Sequence, residues 1–330
     1  MKRKYIIYLA LSVSFILSIS FSFYYYTQAL KYGQQIDGGK DNQSAIPAYH
    51  FALIGEEMDH DYWRLVGEGG KDTEEKYDVF VEYTGPRRSN PEEQLELLDI
   101  AIKSKVDGII VQALNDNFLP MINKAVNEGI PVITIDTDAP DSRRSTYIGT
   151  DNYEAGRLAG KTLVEDTNGE ATVGIVTGSF DNAHHQLRVQ GFREMVKQEE
   201  GIKIVAIEES NITRVTAEEK THQMLKEFPE IDALYGTSAL DGVGMAQAME
   251  SLHLKNDEMY LIAFDILPEN VELMEQGIID VLIEQKPYEM GYHSIELMLD
   301  LMKDKPVKDT YYTDVNVVRV QDLIKKRDGL

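Results

Sequence analysis

Asp136 and Asp265 each end an unbroken apolar run, IPVITI and MYLIAF, and Gln112 and Gln285 close DGIIV and IIDVLIE in the same way. A carboxylate or amide at the carboxyl end of a buried strand is where open α/β sheets place their ligand contacts. Other polar groups follow similar runs. The stretch Glu56 to Trp63, with His60, Tyr62 and Trp63, comes after HFALIG, Thr137 comes after Asp136, and Ser238 after IDALYGT. The stretch Ser179 to Arg188 follows TVGIVTG. Aromatic rings give a stacking face to the C–H side of a saturated ring. Carboxylates accept from hydroxyls, while Arg and amides donate, and hydrogen bonds to charged groups contribute about 1.5–3 kcal/mol each. This set suits a small polyol. A calcium site would be dominated by carboxylates and would have no stacking platform.

The elements that must position these residues alternate strand and helix from Tyr49 onward. Strands are predicted at HFALIG, VFVEYT, DGIIVQ, Ile130 to Asp136 and Thr146 to Gly149, with helices at Tyr62 to Lys76, Pro91 to Lys103 and Leu119 to Asn127. After Asp151 the alternation restarts with helix Tyr153 to Val164 and strand TVGIVTG, and it runs on to a last strand, VNVVRV. Such β-α repetition predicts parallel sheets with helices on both faces and right-handed crossovers. The fold class is therefore α/β, two Rossmann-like lobes joined by a hinge. The expected organisation is a membrane anchor or signal at 1–30, a linker at 31–47, a first lobe of 48–150 plus 286–310, and a second of 151–285 plus 311–330. Hinges are expected where the chain crosses between lobes, near Thr150, Gln285 and Thr310.

Composition narrows the classes. The net charge of −23, from 33 basic and 56 acidic residues, disfavours nucleic acid, which needs clustered cations. Without cysteine the chain has no disulfide, thiolate metal site, Cys nucleophile or lipid-modified Cys. Lys2-Arg3-Lys4 precedes an uncharged run from Tyr5 to Tyr26, long enough to span a hydrocarbon core of roughly 30 Å. It reads as an uncleaved helical anchor rather than a removed signal, with the basic flank cytoplasmic and the folded body outside the cell membrane.

Other constellations carry little. His184 and His185 are adjacent and lack the i,i+4 spacing of a helical metal pair, so they read as surface. DTDAPD starts like a calcium loop but has no Gly at the sixth place and no closing Glu. Gly242-Val243-Gly244 lacks a third Gly, and no G-x-S-x-G, H-E-x-x-H or P-loop occurs. No catalytic residue, metal ligand or cofactor site is expected.

Five segments, DGIIVQALNDN, IPVITIDTDA, YIGTDNYEAGRLAG, LRVQGFREMV and IAFDILPENVELMEQGIIDVLIEQKPYEMG, resemble the type I periplasmic binding proteins of the ribose- and galactose-binding kind. The effector domains of lactose-repressor-like regulators share that fold. The resemblance spans Tyr49 to Val320. It implies that His60, Tyr62 and Trp63 form the polar and aromatic segment after the first strand. It makes Asp136 the sugar-binding carboxylate, Arg188 the guanidinium of the second lobe and Asp265 its carboxylate, with Gln112 and Gln285 as amides. Three positions depart: Thr137 stands for an Arg, Ser238 for an Asn and Ile212 for an aromatic. The implied function is a membrane-anchored monosaccharide receptor that closes on its ligand and signals to an ABC importer or a sensor histidine kinase. The absence of an anchoring Cys favours sensing. A sugar-metabolising enzyme or a repressor on the same fold is the alternative; the latter would need a DNA-binding headpiece where this chain has a hydrophobic helix.

Overall fold

The computed structural model describes residues 21, 22, 25, 47–254 and 258–328. The chain divides into two units, Met1–Pro47 and Ala48–Leu330. In the first, Phe21, Ser22 and Tyr25 are helical and exposed. The rest of the expected membrane segment, and the linker up to residue 46, lie outside the described residues. Among the described residues no helix is long and apolar enough to cross a membrane.

The second unit holds two six-stranded sheets. The first is built from β1 (Tyr49–Ile54), β2 (Val79–Thr84), β3 (Gly108–Val111), β4 (Val132–Ile135), β5 (Thr146–Thr150) and β11 (Thr310–Thr313), in the order β11-β5-β4-β3-β1-β2. The second comprises β6 (Ala171–Thr177), β7 (Ile202–Glu209), β8 (Ala233–Gly236), β9 (Tyr260–Phe264), β10 (Val281–Glu284) and β12 (Asn316–Val318), ordered β12-β10-β9-β8-β6-β7. All pairings are parallel except β10 with β12, so the last strand departs from the expected parallel pattern.

Helices cover both faces of each sheet, and this explains the unbroken apolar runs. In β1, Phe51 and Leu53 pack into one core while Ala52 and Ile54 pack into another on the opposite face. In β9, Ile262 and Phe264 point one way and Leu261 and Ala263 the other. A period of two with both faces buried leaves no polar position until the strand ends. The helices that bear on the site are α1 (Asp61–Lys71), α5 (Asn152–Asp166), α6 (Ala183–Val196), α8 (Ala239–Ser251) and α10 (Pro287–Met302), counted with α2 (Glu74–Tyr77), α3 (Pro91–Ser104), α4 (Phe118–Asn127), α7 (Arg214–Glu227), α9 (Pro268–Glu275) and α11 (Val320–Asp328).

Three differences from the sequence reading are local. The helix expected from Tyr62 to Lys76 breaks at Asp72 and Thr73, where the Thr73 hydroxyl donates to the Gly70 carbonyl at 2.6 Å. The third crossing, expected near Thr310, falls between Thr313 and Asn316, because TYYT pairs with β5 as an edge strand of the first sheet. Helix α11 was not anticipated.

Candidate ligand-binding cleft

The two central carboxylates are aimed by their backbones. Asp136 and Asp265 follow β4 and β9 with φ of +63° and +69°, in the left-handed region. Their N–H groups still donate to Ile148 and Ile283 at 3.0 and 2.9 Å, so each chain leaves its sheet at that residue. Left-handed backbone costs an L-residue about 1–2 kcal/mol, and Asp is among the residues that tolerate it.

Asp136 is held by side chains of the first half. The Tyr62 hydroxyl donates to Oδ1, and Gln112 Nε2 donates to Oδ2 at 2.8 Å. The same Gln112 amide reaches Glu56 Oε2 at 3.3 Å and Thr137 Oγ1 at 3.1 Å. In the second half, Gln285 Nε2 donates to Asp265 Oδ1 at 2.8 Å. Arg188, only 3% exposed, donates to Asn152 Oδ1, the Thr237 carbonyl and Gln285 Oε1 at 2.8, 2.8 and 2.7 Å. Its guanidinium lies 4.2 Å from the centre of the Phe264 ring. It reaches this place because α5 and α6 approach at glycines: a Cβ on Gly156 would stand 2.1 Å from the Arg188 carbonyl oxygen.

The halves touch beside this network. His184 Nδ1 and Thr137 Oγ1 are 2.8 Å apart, and the Ala183 N–H donates to the Leu114 carbonyl at 3.1 Å. Asn182 Nδ2 lies 3.4 Å from Glu56 Oε1.

All the expected site residues except Gln112 and Thr137 line one gap between the two sheets. Those two sit behind it, orienting Asp136. The gap measures about 50 Å³, room for a few waters, because the polar side chains close on one another. A wider groove of about 760 Å³ on the second half runs along β7 and α6; of the expected strand-end groups it holds only Ser179, Phe180 and Gln186 from the Ser179 to Arg188 stretch. Convergent polar groups make the smaller gap the candidate site.

Burial sets the protonation. It pushes the Glu56 carboxyl up to about 7 and Asp265 up to about 6, and it raises Asp136 against the opposing pull of Arg188. It holds His184 and His185 well below the ordinary imidazole value and His60 down at about 4. The imidazoles are thus neutral near pH 7. The site offers acceptors, several neutral donors and one guanidinium.

His184 and His185 are not surface residues: both are buried and face the gap. They lie in the first turn of α6, which begins at the junction of the halves. His184 turns to Thr137 of the first sheet, and His185 turns to Thr237 of the second at 3.0 Å. Trp63 belongs to the core as well as the gap. It is 3% exposed within the first-sheet core, edge-on to Tyr62 at 5.7 Å. Ile212 also lines the gap, at a φ of +53° that is unusual for a β-branched residue. Glu56 enters the sequence reading only as the start of the stretch Glu56 to Trp63, and Asn152 is not among its candidate site residues. Each follows an apolar strand, the signal that marked Asp136, but Glu56 opens a polar stretch and Asn152 begins a helix.

Residues 51–306 match the model of the periplasmic binding protein domain. The chain belongs to the periplasmic binding protein family. Among solved structures, this binding protein is similar to GanP, a glucose-galactose binding protein from Geobacillus stearothermophilus. Identity to GanP is 51%, over 84% of this chain and 99% of that one, with a TM-score of 0.82. It is 34% identical to a chain of the XylFII-LytSN complex, covering 83% and 98% at a TM-score of 0.79. The D-allose-binding periplasmic protein of Escherichia coli is 24% identical over 274 residues, 80% of this chain and 88% of that protein. The recognition of the type I sugar-binding class from sequence holds. GanP and the D-allose-binding protein are binding proteins, and this chain is a binding protein rather than an enzyme.

Proposed function

We propose that this binding protein is an extracytoplasmic monosaccharide receptor, tethered by its N-terminal segment, whose two lobes close on the sugar. The observation that carries this reading is the single gap where Asp136 and Asp265 converge from opposite sheets, beside Arg188 and an aromatic wall. Tyr62 and Trp63 supply the stacking face, the carboxylates accept ring hydroxyls, and Arg188 with Gln285 donates. The direct contacts of these side chains with one another stand in for hydrogen bonds that a sugar would take over. The chain passes between lobes at Asp151, at Gln285-Lys286 and at Asp314-Val315, and rotation about these passages opens the gap. The named sugars of the relatives, glucose, galactose and allose, support the ligand class. Calorimetric titration with pentoses and hexoses tests it; no binding to any of them would refute it.

Closure changes the outer surface and so turns occupancy into a signal for a membrane partner. A sensor kinase is the favoured partner, supported by the likeness to XylFII in complex with LytSN and by the lack of any cysteine for a lipid anchor. Deleting the gene separates the two partner classes. Lost induction with intact uptake supports sensing, and lost uptake supports an importer.

A further inference from the structure

Strand β7 ends the second sheet, so one of its edges has no neighbour among the described strands. Beside it runs the groove along α6, with Val189, Ile204 and Ile207 in its walls and Phe180 half exposed at its end. The strand carries a bulge. Ile204 pairs with Val173 and Ala206 with Gly174, so Val205 is one residue extra. Ile202, Ile204 and Ile207 accordingly pack on the groove side, while Val205 and Ala206 both pack on the opposite face. Glu209 is on the groove side, where Oε1 accepts from the Phe180 N–H at 2.6 Å, and Glu208 is on the other, with Lys220 of α7 at 3.2 Å. Lys203, exposed between two groove-side residues, shares the face of Glu208 and forms no ion pair among the described residues. From Ile202 to Glu209 the order of faces is thus the same in both directions along the strand. An ordinary strand of this length lacks that symmetry, because its faces alternate without a break. The backbone follows the same order. At the two ends of β7 the Gly201 carbonyl accepts from Ala171 and the Ser210 N–H donates to Thr177, both on β6, at 3.2 and 2.8 Å. Alternation inward from those ends turns the N–H and C=O groups of Ile204 and Ile207 to the open edge.

We propose that this edge pairs with the same edge of a second copy of the chain, antiparallel about a two-fold axis between Val205 and Ala206. In that register Ile204 meets Ile207 of the partner subunit, and Lys203 meets Glu208 of the partner subunit, each twice by symmetry. Every such pair has both side chains on one face, which the bulge makes possible. Opposite charges directly across a ladder attract and like charges repel. Ile204 and Ile207 exchange backbone hydrogen bonds across the axis, and the two grooves meet over one continuous sheet. Lysine and a bulge ordinarily blunt an open edge; here they make it complementary to its own copy.

The test uses the full chain in detergent micelles. Sedimentation velocity reads the oligomer, and a carbodiimide joins amines to neighbouring carboxylates in a mixture of light and heavy isotope-labelled protein. Wild type is expected to dimerise and to give an amide between Lys203 and Glu208 that links a light peptide to a heavy one. Along one strand those residues are roughly 17 Å apart, too far for that amide to form within a copy. K203E and E208K should each dimerise about tenfold more weakly or worse. An equimolar mixture of the two should recover the wild-type association, because both cross-strand pairs are then opposite in charge. Recovery also shows that both variants are folded. A wild-type monomer at every concentration overturns the proposal, as do dimers undiminished in both variants, a mixture no stronger than its components, or cross-links of Lys203 to other surfaces alone.

Discussion

Replacing Asp265 with Asn should make the empty protein more stable and a worse receptor. Burial raises this carboxyl from 3.8 to about 6, although Arg188 and Gln285 both favour its charged form, so desolvation outweighs them. The unfolded chain ionises near 3.8 and the folded one near 6. The stability this group supplies is therefore full below about pH 4 and lost as pH rises through 6. A shift of about two units corresponds to about 3 kcal/mol. Asn carries no charge, its side-chain oxygen still accepts from Gln285, and it tolerates the φ of +69°. At pH 8 D265N should gain up to about 3 kcal/mol in urea unfolding, a gain that shrinks by about 1.4 kcal/mol per unit below pH 6. Sugar affinity should fall by about 10–150-fold, the value of one hydrogen bond to a charged acceptor. A variant less stable than wild type at pH 8, or one that binds sugar unchanged, would refute the reasoning.

Trp63→Ala should weaken binding and also cost about 3–5 kcal/mol in urea unfolding, since Trp63 fills the first-sheet core. A fold of unchanged stability would show that the ring is not needed there. Without ligand, E56Q should gain stability relative to wild type from pH 4.5 to pH 7.5, a difference in which the opposite contribution of the buried His60, His184 and His185 cancels. Glu56, raised from 4.5 to about 7, stabilises fully below the lower value and loses that contribution as pH rises through the upper, about 3 kcal/mol in all. Thermal melts of both proteins across the range check this, and a difference that does not change with pH would refute it. Gly156→Ala should cost about 1–3 kcal/mol and reduce affinity together, because the added methyl meets the Arg188 backbone. Lost stability with unchanged affinity would uncouple Arg188 from that helix contact.

The order of elements was legible in the sequence because periodicity is local. Runs such as VITI and YLIAF sit between two helical layers, and their composition records that burial directly. For the same reason the residues ending those runs, Asp136 and Asp265, could be named. Weak patterns failed: TYYT pairs only along one edge, with a half-exposed face, and its four residues carry no alternation.

The sequence alone therefore determined the class of fold and the polar rim of each sheet. Which of those rim groups share one enclosed space was decided by packing between distant segments. Asn152, Arg188 and Gln285 are hydrogen-bonded although more than thirty residues separate each from the next. His184 is buried because the start of α6 lies against the first sheet, and His185 because its ring packs on Gly178 and Thr237 of its own half. Burial of this kind depends on what is placed opposite a residue, and no local pattern encodes it. The same tertiary burial separates the ordinary acidity of a carboxyl in the chain from that of Glu56 in the cleft.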